Sequence, residues 1–185
     1  MQHYKAYDFQ MSANPRTYHS TETLPDGGVL HLRAIRPGDR EALLREFRRL
    51  SQQTVRDRFF YAKQVLTPKE LTFLTEVDFR CHVALVAELE IDGHRRPVAV
   101  GRFMCEQELP DRSEIAITVV DEMQGRGIGK ALLKHLIHCA RELGVRYLDA
   151  MVLSENKRMY RLMHRTGLPI ESRTDGSVCT LTLQL

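Results

Sequence analysis

Residues 119–133 read VVDEMQGRGIGKALL: a β-branched pair, glycines at three alternate positions, then an amphipathic run. A strand passing through a glycine loop into a helix makes a seat for an anion. Gly125, Gly127 and Gly129 let backbone N–H groups converge where a Cβ would stand in the way. The helix start adds unpaired N–H donors and a partial positive charge. Such a junction suits a phosphate or pyrophosphate, with Arg126 and Lys130 adding charge at the rim. The same residues also suit a tight turn that only packs strand against helix. Two familiar phosphate loops are excluded. A Walker loop needs glycine where Gln124 stands and a hydroxyl where Ala131 stands. A Rossmann GxGxxG starting at Gly125 meets Lys130 at its third glycine.

Outward from the loop, SEIAITVV (113–120) reads as the strand that feeds it, and ALLKHLIHCARELG (131–144) as a helix with Gly144 at its C′ position. VRYLDAMV gives another strand and SENKRMYRLMHRTG another helix, running from Ser154 to Gly167. LPIESRT and SVCTLTLQL close the chain as a hairpin around Asp175-Gly176. On the N-terminal side, CHVALVAELEI and RPVAVGRFMCEQEL are β-rich runs joined by DGHR, a hairpin signature. Three helices precede them. Leu43, Leu44, Phe47 and Leu50 define the first, over 39–50 with Asp39 as N-cap; the others fall at 52–61 and at 68–76, behind Thr67-Pro68-Lys69-Glu70. VLHLRAIR, from Val29, is a strand. Residues 1–28 are polar and turn-rich, an extension that is either partly disordered or packed as an arm, and 29–185 form one domain. Hairpins mixed with crossovers predict an α/β fold with a mixed sheet and helices on its faces, not an all-parallel sheet.

Composition narrows the function. The 185 residues are 43% hydrophobic and 28% charged, as in ordinary globular proteins. A net charge of +3 gives no reason to expect a nucleic-acid partner. No apolar run approaches the roughly 18 residues of a membrane span, and MQHYKAYDFQ has no signal-peptide core. Cys81, Cys105, Cys139 and Cys179 are scattered with no CxxC pair, which suits reduced thiols and a cytoplasmic location.

Gln124 to Gly129, QGRGIG, resembles the acetyl-CoA pyrophosphate loop of the GCN5-related N-acetyltransferases (GNAT), [QR]-x-x-G-x-[GA]. Asn156, Met159, Leu162 and Gly167 fit the spacing of that family's second cofactor segment. LRAIRPGDREALLREF and EIAITVVDEMQGRGIG are similar to the acetyltransferase domain of bacterial protein lysine acetyltransferases, and the likeness runs from Val29 to Leu185. The resemblance implies a mostly antiparallel mixed sheet flanked by helices, acetyl-CoA as cosubstrate and no metal. It implies acetyl transfer to a primary amine within a ternary complex, to a protein lysine or else to a small amine or amino acid; it leaves oligomeric state open, with a dimer compatible. A rival reading is a non-catalytic acyl-CoA sensor. By the same resemblance, backbone at Ile117, Thr118 and Val119 pairs with the pantetheine arm, and an N–H there polarises the thioester carbonyl. Gln124, Gly125, Arg126, Gly127, Ile128, Gly129 and Lys130 hold the pyrophosphate, and Asn156 reaches pantetheine or phosphate through its amide.

An alkyl amine with pKa near 10.4 is protonated at neutral pH, and freeing its lone pair costs roughly 4 to 5 kcal/mol. A base lowers that barrier. Glu114 shares a strand face with the small residues Ala116 and Thr118, which leaves room for a substrate. It is either an edge glutamate paired with a surface arginine or, as the resemblance implies, the base. Where the family often has a tyrosine that protonates the leaving thiolate, this chain has Met163, with Tyr160 one turn earlier. His135 and His138, beside Cys139, fall outside the apolar arc of Leu132, Leu136, Ala140 and Leu143, and are expected in solvent. Cys105 reads as a core cysteine and Asp78 with His82 as a pair on the substrate side; the eight arginines from Arg33 to Arg58 read as a charged helix surface.

Overall fold

The computed structural model describes residues 15–106 and 108–185; the first part of the polar extension, residues 1–14, lies outside them. Eight strands form one sheet, in the order β1 (His19–Thr23), β2 (Val29–Ala34), β3 (His82–Ile91), β4 (His94–Glu106), β5 (Leu109–Val119), β6 (Tyr147–Leu153), β8 (Val178–Gln184), β7 (Ile170–Asp175). Every neighbouring pair is antiparallel except β5 and β6, which run parallel. Helices α1 (Arg40–Phe47), α2 (Gln52–Phe59) and α3 (Pro68–Thr75) lie between β2 and β3 in the chain; α4 (Ile128–Glu142) joins β5 to β6 and α5 (Lys157–His164) joins β6 to β7.

Local chemistry accounts for most boundaries. Thr67 and Glu70 form a reciprocal capping box at α3: Thr67 Oγ1 accepts from Glu70 N, and Glu70 accepts from Thr67 N at 2.8 Å. The β3–β4 turn places Asp92 and Gly93 at φ 51° and 73°, the paired left-handed residues of a tight hairpin. Gly144, at φ 79°, ends α4, and Val145 N bonds back to Ala140 O at 3.0 Å. Asp39 does not cap α1 through its side chain. A 3₁₀ turn (Pro37–Asp39) precedes that helix, and the Asp39 carboxylate instead accepts from Arg36 N and pairs with Arg33 at 2.7 Å.

The two sheet faces divide by alternation. Gly101 in β4 faces α4, where an added Cβ would stand 2.6 Å from Leu136 Cδ1 and 3.1 Å from Leu132. Both leucines are fully buried. Val100 and Arg102, pointing the other way, meet the α1–α3 layer, which has a small core of its own around Phe47, Val55, Leu66 and Leu71. Gly101→Val is therefore expected to lower stability by about 1–3 kcal/mol through overpacking, read as a lower denaturant midpoint at unchanged slope.

Part of the polar extension is sheet. Residues 19–23 pair with β2, with Thr21 opposite His31. An edge strand gains backbone hydrogen bonds without needing an apolar face, and buried Tyr18 and Leu24 anchor its ends. This arm also corrects the reading of α4. His135 is fully buried rather than solvated, because Tyr18 and Glu22 cover that flank: the Tyr18 hydroxyl bonds its Nδ1, and Glu22 Oε1 lies 2.7 Å from Nε2 and 2.6 Å from Lys134 Nζ. Burial pushes the Glu22 carboxyl up, but the His135 and Lys134 hydrogen bonds and charges outweigh it and bring its pKa from 4.5 to about 2. A lowered folded-state pKa gives stability that is present above the ordinary value and lost as pH falls through the folded one. Glu22→Gln should thus cost about 1–2 kcal/mol at pH 7, allowing for solvent screening. In denaturation series, the gap from wild type should close between pH 4.5 and about 2.

Candidate active site

The site begins where β5 and β6 part. They pair only at Arg112–Tyr147, Ser113–Leu148 and Glu114–Asp149. Beyond Glu114, β5 stays on β4 as far as Val119, whereas β6 follows β8. A cleft of about 660 Å³ opens between them, lined by β5 residues 114–119, the glycine loop and α5. Val120 N bonds Val98 O on β4, so by alternation the backbone groups of Ile115, Ile117 and Val119 point to the cleft. Gln124 Nε2 takes Val119 O at 3.0 Å. Because β5 and β6 pair no further than Glu114–Asp149, the N–H and C=O of Ile117 have no strand partner among the described residues, an edge that suits an extended ligand. Thr118 turns its backbone toward β4 and brings only its side chain to the cleft.

The glycine loop closes one end. Gly125 and Gly127 stand at φ 82° and 95°, and Gly127 is the N-cap of α4. The first intrahelical bond is Ala131 N to Gly127 O, at 3.0 Å, so the N–H groups of Ile128, Gly129 and Lys130 have no helical acceptor. Gln124, Gly125, Gly127, Ile128, Gly129 and Lys130 all line the cleft. Arg126 does not: its guanidinium is held away by Asp26 at 2.6 Å, which leaves only its backbone to the loop. Arg158, Arg161 and Arg165 line the facing wall along α5, and Arg158 also donates to the Gln124 side-chain oxygen Oε1. Asn156 lines the cleft and accepts from Met159 N at 3.0 Å, so its oxygen caps α5. Helix-start amides and four cationic side chains give this end the chemistry that suits an anion.

Glu114, Ala116 and Thr118 face the α1–α3 side, as strand alternation requires. Glu114 lines the cleft and forms no hydrogen bond or ion pair among the described residues; it is not an edge glutamate tied to a surface arginine. Arg58 on α2 is the cation whose charge it feels: burial pushes the Arg58 pKa down and Glu114 opposes that shift. Arg58 lines both this cleft and a smaller apolar pocket of about 80 Å³ beneath the helices, where Leu43, Phe47, Phe59, Ala116 and Arg102 meet. Arg102 is 3% exposed and donates to Leu74 O and to His82 Nε2 at 3.0 Å. Burial and the like charge of Arg58 push its pKa down to about 9. His82, desolvated beside Arg102, falls to about 4 and is neutral at pH 7, as its acceptor role requires.

Asp78 and His82 do meet, though through backbone: Asp78 Oδ1 accepts the N–H groups of Arg80, Cys81 and His82, while the ring turns to Arg102. Tyr160 lies beside Cys179, which pushes its pKa up, and Met163 is fully buried; neither lines the cleft. Three features escape the sequence reading. The first is Arg58. The second is a clamp in which Asp121 accepts from Ser51 N, Ser51 Oγ and Thr54 Oγ1 at 2.7–2.8 Å, tying α2 to the loop. The third, the arginine row on α5, has a signal in its spacing at 158, 161 and 165.

The chain belongs to the acetyltransferase (GNAT) family, whose model matches residues 42–168. It is similar to acetyltransferase PA5475 of Pseudomonas aeruginosa, 32% identical over 86% of this chain and 85% of that one. It also resembles acetyltransferase Pat of Mycolicibacterium smegmatis, 37% identical over 76% of this chain but only 41% of that protein. The GNAT domain of S. lividans PAT superposes with a TM-score of 0.82 at 30% identity, over 90% of this chain and 97% of the domain. The fold and these relatives make the protein an acetyltransferase enzyme.

Proposed function

We propose that this protein transfers acetyl from acetyl-CoA to a primary amine by direct attack in a ternary complex, and that the amine is a protein lysine. The carboxylate of Glu114, which lines the cleft beside Ala116 and Thr118 and has no hydrogen-bond or ion-pair partner among the described residues, carries the reading. The cleft fits the cofactor: free loop amides and the cations of Lys130 and α5 suit a diphosphate, and the open edge at Ile117 suits a pantetheine amide. Glu114 takes the proton from the incoming ammonium, directly or through one water, and so offsets the roughly 4 to 5 kcal/mol that neutral pH imposes on an alkyl amine. The Ile117 N–H serves as donor to the thioester oxygen as charge builds there. With Met163 in the core and Tyr160 beside Cys179, no tyrosine among the described residues lines the cleft, and a CoA thiolate leaves without a dedicated acid. The likeness of residues 32–47 and 114–129 to protein lysine acetyltransferases supports the acceptor.

The test is an acceptor screen of lysine peptides, amino acids and small amines, with release of free CoA as readout. Turnover with lysine peptides is expected. Tight CoA binding with no turnover across the panel would replace this reading with a sensor; turnover confined to free amino acids would overturn the acceptor.

A further inference from the structure

Two cysteines at the start of β3 and the end of β4 form a second chemical site. We propose that Cys81 and Cys105 close a reversible intramolecular disulfide by exchange with a low-molecular-weight disulfide, and that closure slows acetyl transfer. His82 stands opposite Met104 in the β3–β4 ladder, so the next residue outward on each strand, Cys81 and Cys105, are also opposite. Cys105 N donates to Cys81 O at 2.7 Å. Cys81 lies just before β3 and turns its own N–H to Asp78 Oδ1, so this one backbone bond joins the two; residues facing each other across antiparallel strands have Cα atoms about 4.5–5.5 Å apart, within the span a disulfide bridges. The neighbouring Cys105 thiol, with burial, pushes the Cys81 pKa up to about 11, and Cys105 Sγ itself lies 3.9 Å from Arg80 O. Cys81 is exposed and Cys105 half-buried, whereas Cys139 and Cys179 are fully buried and out of reach.

The exchange balances. One protein thiolate attacks the external disulfide, forming a mixed disulfide and releasing one small thiol. The second protein thiol loses its proton, attacks the protein sulfur of that mixed disulfide and releases the other. Two protein thiols are oxidised, and one external disulfide is reduced to two thiols.

The place links the bond to the site, a link that rests on the proposed role of Glu114. Cys105 is opposite Ser113 and Met104 is opposite Glu114 in the β4–β5 ladder, whose register slips between Cys105 and Glu106. His82, next to Cys81, is the ring that Arg102 donates to. Drawing the two strand ends together shifts the wall beside the proposed base, at a distance from the glycine loop.

The full chain, incubated with oxidised glutathione and desalted, is expected to lose the mass of two hydrogens and to yield a Cys81–Cys105 cross-linked peptide that dithiothreitol reverses. Cys105→Ser should instead keep a glutathione adduct on Cys81. Oxidised wild type should then acetylate its amine several-fold more slowly, followed by product mass, at unchanged acetyl-CoA affinity, with Cys105→Ser insensitive. Wild type that carries only glutathione adducts, or two unreacted thiols, would overturn the proposal. Complete closure at an unchanged rate would overturn the link to the site. Absence of turnover in the reduced protein would count against the proposed function alone, since bond closure is read by mass.

Discussion

Glu114→Gln is expected to lower kcat for acetyl transfer about 100-fold or more, the range in which a positioned base contributes, and to leave acetyl-CoA affinity within about twofold. The substitution keeps the shape of the side chain and removes its capacity to take a proton. Glu114 has no hydrogen-bond or ion-pair partner among the described residues, so no bond is broken; what is lost is one charge that Arg58 feels. The loss should fall on kcat and kcat/KM together, as for an interaction made only in the transition state. Initial rates over a range of amine concentrations, with calorimetry for the cofactor, separate the two. Wild-type rates in Glu114→Gln would remove the base from the mechanism and leave the cleft as a binding site alone.

Gly127→Val is expected to weaken acetyl-CoA binding about 100-fold or more, roughly 2.7 kcal/mol. Gly127 stands at φ 95°, where a β-branched residue is a steric outlier, and its Cβ would press on Pro25 Cδ at 3.3 Å. The loop has to rebuild, and the N–H groups of residues 128–130 lose their common aim. Gly125→Ala provides the comparison. It shares the positive φ but has nothing within 4 Å of its Cβ, so it carries backbone strain without collision and should cost less. Thermal melting of both variants checks that the domain is folded, and a Gly127→Val protein that folds yet binds normally would move the diphosphate elsewhere.

Most of the fold was legible because its signals are local. The Thr67–Glu70 box, the Asp92-Gly93 turn and Gly144 each act within a few residues, and each stands in the structure as its sequence suggests. The cleft was legible only through the glycine loop, since the parting of β5 from β6 depends on which strand each follows. What escaped depends on distant partners. A helical wheel for α4 shows no neighbour for His135, because Tyr18 and Glu22 come from an arm more than 110 residues earlier. That arm has no apolar alternation to mark it, as an edge strand needs none. Arg58 lies among eight arginines between 33 and 58, and nothing in their order tells which one folding buries beside a carboxylate.

Two-dimensional amide NMR during titration with acetyl-CoA tests the central claim most directly. The largest shifts are expected at the amides of residues 125–130 and at Ile117, with saturation at one cofactor per chain. Millimolar acetyl-CoA that left those amides unmoved, or shifts confined to another face of the sheet, would contradict it.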